Sequence, residues 1–412
     1  MDLRERLQRL GVHKGIKHLK APTPQPRQGQ GIEQFIPGEL VETEYGRFFL
    51  GEESYPLAHH HGDWPLAAAL AQSGVGIFPL ARDASLQSMD FKSAIFLDTE
   101  TTGLAGGTGT YVFLVGIGYF EGDAFRIRQF FMRDYDDEPA MLSELARLLG
   151  CFTALVSFNG RAFDWPLLET RFTLARWPLP LRDAPHLDLL QLARRLWRVR
   201  LPSCALSSLE EHILGVQRSG QDVPGWMVPE IYFQYLRDGD PRPLQKVFYH
   251  NAQDVLSLVT LSAYLAQIGD DPFNGCLTHG ADFYSLAKFF EAAGDSEAAV
   301  RAYERALICP LSEGVQRATV ARLSLLYKRL GQQDKAASLW RSALGDGQLY
   351  PYIELAKYYE HSCKEYVEAE SLVCEALALV RSAQDLSDRQ QLLGELEHRL
   401  QRVRRKMAKA AS

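Results

Sequence analysis

Cysteine is scarce and scattered: six among 412 residues, at Cys151, Cys204, Cys276, Cys309, Cys363 and Cys374. They form no Cys-x-x-Cys pair and no zinc-like spacing, which leaves no basis for a disulfide framework or a zinc finger. Long apolar runs are missing too. The longest, Tyr111 to Phe120, is far short of the ~20 residues that span a bilayer. The opening residues, Met1-Asp2-Leu3-Arg4-Glu5-Arg6, lack the apolar centre of a signal peptide. Nor is positive charge in excess: 45 Lys and Arg stand against 51 Asp and Glu, a net charge of -6. Any nucleic-acid contact must therefore come from local basic patches. These absences predict a reduced, soluble, cytoplasmic protein with no membrane segment.

What is present is enough apolar mass for a buried core, 46% hydrophobic with 11% aromatic, in a length that suggests two or three domains. Residues 1–36 read as a basic, Pro/Gln-rich flexible segment. Residues 37–92 form a β-containing lead-in, with a short hairpin expected between Gly38 and Leu50. His59-His60-His61 could ligate a metal, but neighbours on a strand point to opposite faces, so a structural or solvent-facing loop is expected. Residues 93–269 alternate strands (Ala94 to Leu97, Tyr111 to Phe120, Phe125 to Met132, Ala154 to Phe158) with helical patterns. The helical patterns run over Glu138 to Leu149, Asp164 to Ala175, Leu187 to Trp197, Ser207 to Leu214 and Pro243 to Gln267. Three meandering strands followed by helix, strand and helix predict an α/β domain with a mixed sheet.

Over residues 270–412 the strands vanish and a repeat begins. Leu286-Ala287-Lys288-Phe289-Phe290-Glu291 returns as Leu355-Ala356-Lys357-Tyr358-Tyr359-Glu360, with a third copy around Tyr327 and Gly331. Units of roughly 32 to 37 residues with small residues at Ala287, Ala298 and Ala306 resemble tetratricopeptide repeats. Most of the aromatics (Phe289, Tyr303, Tyr327, Trp340, Tyr358) fall at packing positions, so a protein partner is expected there rather than nucleic acid. The basic tail, with Arg402, Arg404, Arg405 and Lys406, reads as a solvated face.

The chemistry centres on Ile95-Phe96-Leu97-Asp98-Thr99-Glu100-Thr101-Thr102-Gly103-Leu104. Acids two apart on a strand share a face. Side by side on an apolar strand they repel, and desolvation adds to the cost unless a cation such as Mg²⁺ or Mn²⁺ lies between them. The alternative is that both lie past the strand end in solvent. Two further segments bear on the choice: Val156 to Pro166, which places Asp164 at a helix start as a candidate N-cap, and Tyr249-His250-Asn251-Ala252-Gln253-Asp254 inside a helix. His250 and Asp254, four apart, share a face.

In that order and context, Asp98 and Glu100, Asn159 with Phe163-Asp164, then Asp254 resemble the DEDD exonucleases of the ribonuclease H-like superfamily. More narrowly, His186-Leu187-Asp188, Leu201-Pro202-Ser203, Asp222-Val223-Pro224-Gly225 and Pro229-Glu230-Ile231-Tyr232 are similar to its YprB-type branch. The resemblance covers about Pro37 to Ile268. It implies that Asp98, Glu100, Asp164 and Asp254 hold two Mg²⁺ or Mn²⁺ ions, and that nucleic acid is cut from single-stranded 3′ ends. It also implies substrate contacts at Thr101, Leu104 and Asn159, with Leu104 against the terminal base.

The family usually adds a base on the last helix, a Tyr four residues before the last Asp or a His five before. Here His250 occupies the first place and Tyr249 the second. Helix geometry favours His250, because Tyr249 is rotated about 100° from it. Arg194, Arg195, Trp197, Arg198 and Arg200 read either as a track for a strand backbone, with Arg195 and Arg198 binding substrate, or as a plain amphipathic surface. Asp188 either supports the metal shell or caps a helix. The glycines from Gly103 to Gly109 either approach a phosphate or permit a tight turn. The expected function is a metal-dependent 3′–5′ exonuclease with helical repeats; the alternative is an interaction scaffold on a vestigial nuclease fold.

Overall fold

Residues 31–103, 109–382 and 388–411 are described by a computed structural model. The basic N-terminal stretch, nearly all of the Pro/Gln-rich segment, and Leu104 with most of the glycine loop lie outside the described residues. Alternating apolar residues build β1 (Gly38–Thr43) and β2 (Gly46–Pro56), the expected hairpin, which runs six residues longer than its sequence pattern. A two-residue ladder, β3 (His60–His61) with β4 (Trp64–Pro65), follows. The remaining strands are β5 (Ala94–Thr101), β6 (Val112–Glu121), β7 (Ala124–Phe131), β8 (Ala154–Ser157) and β9 (His186–Asp188).

Seven strands form one mixed sheet in the order β1-β2-β7-β6-β5-β8-β9. Pairing is antiparallel from β1 through to β5, and parallel for β5 with β8 and β8 with β9. The hairpin at the start of the chain is thus hydrogen-bonded along β7 and widens the central sheet.

Helices cover both faces. They are α1 (Gly74–Ala81), α2 (Glu138–Leu149), α3 (Asp164–Ala175), α4 (Leu189–Trp197), α5 (Val228–Asp238) and the 27-residue α6 (Leu244–Asp270). The expected helix from Ser207 appears as one α-turn, Leu206–Leu209, continued by a π-turn, Glu210–Leu214. Period-two burial on β5 divides the core. Ile95 and Leu97 join one cluster with α2, α3 and α5, while Ala94 and Phe96 join the other with α4 and most of α6.

That second cluster runs on into the C-terminal region, where Leu286, Tyr303 and Trp340 are buried. Among the described residues seven α-helices follow α6: α7 (Gly280–Ala293), α8 (Ser296–Ile308), α9 (Glu313–Arg329), α10 (Gln333–Ser342), α11 (Tyr350–Tyr358), which a π-turn, Tyr359–Cys363, continues, α12 (Tyr366–Ser382) and α13 (Arg389–Ala411). Each packs on the next, and this region has no strand among the described residues. Part of the basic tail is not a solvated face. Arg399, Arg402 and Lys406 close on the fully buried Glu360 at 3.0, 2.7 and 2.9 Å.

Candidate active site

Strand β5 carries Asp98 and Glu100 within its hydrogen-bonded length, opposite Gly116 and Leu114 of β6, and not beyond the strand end. Gly116 matters here. A Cβ at this position would lie 2.1 Å from Asn251 Oδ1, so glycine lets α6 lie against the strand. Asn251, fully buried, donates from Nδ2 to Asp98 Oδ2 at 2.8 Å and accepts from Gln129 Nε2 at 2.9 Å. Asp164 is the first residue of α3, whose N-cap is Phe163. Its carboxylate accepts from the Thr99 hydroxyl, so the side chain turns to β5 and does not cap its own helix.

Asp254 lies on α6 one turn after His250. It is ion-paired with Arg218, which donates to Asp254 Oδ1 and is itself clamped by Glu210 at 2.5 and 2.7 Å. Glu210 is 2% exposed and also accepts from Ser257 Oγ at 2.5 Å; that hydroxyl lies 2.7 Å from His61 Nε2. The third histidine of the triplet is therefore structural, and burial pushes its imidazole down to about 4.

The four carboxylates sense one another. Desolvation, followed by repulsion from Asp254, Glu100 and Asp164, holds Asp98 well above the usual carboxylate range. Glu100 is raised likewise, first by desolvation and then by Asp254 and Asp164. Desolvation pushes Asp164 up to about 6 against the Thr99 bond. Asp254 is raised by desolvation despite Arg218 and His250.

No three His, Cys, Asp or Glu side chains among the described residues converge tightly enough to hold an ion. Three of the four acids are instead bound through one oxygen to Asn251, Thr99 or Arg218. The donor chemistry still fits a hard divalent cation: four oxygen ligands, mutually repelling, with Arg218 as the positive charge drawn into the cluster.

His250 Nδ1 lies 2.8 Å from Asp222 Oδ1, and Nε2 lies 3.8 Å from Asp254 Oδ2. Nδ1 also faces Arg218 Nη1 at 3.0 Å, so an acceptor and a donor both meet that nitrogen, while Nε2 is the ring nitrogen turned toward Asp254. Tyr249 points elsewhere, its hydroxyl accepting from the Ser219 amide at 3.2 Å.

The other candidates scatter. Asn159 takes a left-handed φ of 64° at the end of β8, and its amide donates to Asp188 Oδ1 at 2.8 Å. Asp188 caps α4 through Leu190 N at 3.1 Å, the capping role. The Thr101 hydroxyl is turned onto the Gly103 carbonyl at 3.1 Å. Arg195 and Arg198 sit at the opposite end of α4 from Asp188, about 10 to 15 Å along the axis, and apart from the carboxylates. Sequence reasoning assigned no role to Arg218, Glu210, Asp222 or Thr99. Asn251 and Asp222 at least stood inside quoted motifs; Arg218 and Glu210 carried no local signal.

Residues 95–266 match the RNase_H superfamily, which defines the α/β part as a ribonuclease H-like domain and points to a nuclease. Over nearly its whole length the chain is similar to the Bacillus subtilis (strain 168) protein described as "Uncharacterized protein YprB". Identity is 31% over 431 residues, covering 98% of this chain and 99% of that one. The chain belongs to the YprB family. Among solved structures, the family B DNA polymerase from Pyrobaculum calidifontis aligns with 48% of this chain and 29% of its own. At 15% identity and a TM-score of 0.32 that likeness adds nothing to the assignment. No described helix is long and apolar enough to cross a membrane.

Proposed function

We propose that the chain is a divalent-metal-dependent 3′–5′ exonuclease acting on single-stranded 3′ ends of DNA or RNA. The observation that carries this reading is that β5, α3 and α6 bring Asp98, Glu100, Asp164 and Asp254, each partly buried, close enough that Asp98 feels the charge of the other three. A divalent cation between them would offset both the desolvation and the mutual repulsion. These four would hold Mg²⁺ or Mn²⁺, two ions in the proposed arrangement, which supply activation of the attacking water and stabilisation of the leaving 3′ oxygen.

The chain's own residues do the positioning. Asn251 and Thr99 orient Asp98 and Asp164, and Asp222 with Arg218 fixes the His250 ring so that Nε2 faces Asp254, where it would accept the proton of the attacking water. Arg218, clamped by Glu210, brings a fixed positive charge to the cleft where a phosphate would enter. The C-terminal helices, read as tetratricopeptide-like repeats, would hold a protein partner.

The test uses single strands labelled at the 5′ end. In magnesium or manganese we expect stepwise shortening from the 3′ end, abolished by Asp98→Asn and by Asp164→Asn with the fold retained by circular dichroism. Undiminished cleavage in EDTA, or in either variant, would end the reading.

A further inference from the structure

Where the end of α4 meets α7, an open cleft of about 450 Å³ is lined by Arg82, Arg194, Arg195, Arg198, Lys288 and Phe289. We infer that this cleft is a phosphate-backbone exosite, binding the part of a single nucleic-acid strand that lies upstream of the 3′ end held at the carboxylates. The inference rests on the nuclease reading only for which end of the strand faces Asp98.

Charge is the first observation. Five cations share one cleft in a chain whose net charge is -6, and none of them is ion-paired with a carboxylate among the described residues. The acid nearest in sequence, Asp83, is spent on Arg161 at 2.8 Å. Like charges so placed repel, and the Arg195 guanidinium is lowered from its usual range first by desolvation and then by Arg82. A linear polyanion relieves that repulsion.

The second observation is that the cleft is braced. Arg195 donates to the Leu80 and Ala81 carbonyls at 2.7 and 3.0 Å, at the C-terminal end of α1. Arg82 donates to the Phe289 carbonyl at 2.7 Å and lies 4.6 Å above its ring. Those two fix the walls. Arg194 and Arg198, exposed and four apart on one helix face, leave their charges to solvent or ligand, and half-buried Lys288 opposite them lies 5.4 Å from the Tyr284 ring centre.

Continuity is the third. The same α4 that ends in the cleft begins at Asp188, which ties down the Asn159 loop beside the carboxylates. One rigid helix therefore connects the two places over about 10 to 15 Å. A strand of a few nucleotides fills only the carboxylate end, and a longer one reaches both. An acidic protein is the poorer fit, because Phe289 is already covered by Arg82 and the cleft offers no deep apolar anchor.

The full chain is titrated in EDTA, where strands stay intact, against 5′-fluorescein single strands of about 3 and about 24 nucleotides, the shorter too short to span from the carboxylates to the cleft and the two bracketing usual single-strand site sizes. Arg194→Glu/Arg198→Glu/Lys288→Glu is expected to weaken binding of the long strand at least tenfold. It should also shallow the salt dependence by about 2, at about 0.7 for each lost phosphate contact. Binding and metal-dependent cleavage of the short strand should not change. Arg194→Lys/Arg198→Lys should keep long-strand affinity, which separates lost charge from a disturbed fold.

Unchanged long-strand affinity and salt slope in the charge-reversed protein would overturn the exosite. Equal affinity of the wild-type chain for polyglutamate would overturn its assignment to nucleic acid. If the wild-type chain cleaves neither strand yet loses long-strand binding on charge reversal, the exosite stands and the exonuclease reading falls.

Discussion

Two side chains decide what the cleft can do. His250 has Asp222 behind one ring nitrogen and Asp254 in front of the other, while Tyr249 is held on the Ser219 amide. We expect His250→Ala to lower turnover by about 10²- to 10⁴-fold, the usual contribution of a positioned base. Tyr249→Phe should leave turnover nearly unchanged; steady-state rates of both variants decide between them. Arg218 is the second. Its removal leaves Glu210, 2% exposed, without a counter-charge. Breaking one side of a buried pair costs about 3–5 kcal/mol, so Arg218→Met should lower unfolding stability in urea by that order. Glu210→Gln added to it should recover part of the loss, because the stranded charge is then gone.

Elements meet only where side chains leave room. Helix α6 crosses the sheet over Gly51, Gly116 and Gly118, where a Cβ would meet Phe248 at 3.0 Å, Asn251 at 2.1 Å and Val255 at 2.5 Å. Gly116→Ala should therefore push Asn251 off Asp98, lowering both cleavage rate and thermal stability. Overpacking of this kind costs about 1–3 kcal/mol. A melting temperature equal to wild type would show that α6 can slide without penalty. At the other end of the molecule, α13 is docked by the same logic reversed. Glu360, last residue of a repeated motif, is buried and draws Arg399, Arg402 and Lys406 onto itself. Those bonds, Arg402 foremost, outweigh the cost of burial and hold its carboxyl down to about 2.

For the molecule as a whole, the carboxylate cleft and the buried histidines pull stability in opposite directions with pH. Asp164 titrates near 6 in the fold against an ordinary value of 3.8. The stability it contributes is complete below pH 3.8 and is lost as pH rises through about 6. His61, lowered to about 4, and His186, lowered to about 3, are both depressed by burial. Their contribution is present above 6.5 and is lost as pH falls toward those values. The clean readout is a difference. In EDTA, Asp164→Asn should gain melting temperature relative to wild type between pH 4 and 7. Added manganese should close that gap by stabilising wild type alone; a variant–wild-type difference flat across that range would count against the buried carboxylate. The α/β and helical parts also share one apolar cluster and the Arg200–Asp282 pair at 2.9 Å, whose carboxylate is buried.

Local pattern alone determined most of the elements. Helical spacing over Glu138–Leu149 and Asp164–Ala175 appears at those bounds, and the apolar runs of β5, β6 and β8 appear within a few residues. Asp98 and Glu100 were legible as partners because a strand's two-residue period puts them on one face whatever the rest of the chain does. Other features had no local code. Strand β9 is three residues long and takes Leu187 and Asp188 from the start of the helix expected over Leu187 to Trp197, whereas α5, with Val228, Tyr232 and Tyr235 at helical spacing, was legible in the sequence and went unread. The hairpin's place on the edge of β7, Arg195's engagement with the end of α1 and the partners of Asp188 are contacts between distant segments. Arg218 is the clearest case: it lies 36 residues before Asp254 in a loop, and it enters the cleft only because Glu210, Ser257 and His61 build a polar support behind it. Periodicity is set by the backbone's own geometry and can be read along the chain; which cation meets which carboxylate is set by closure of the fold, and that only the tertiary structure decided.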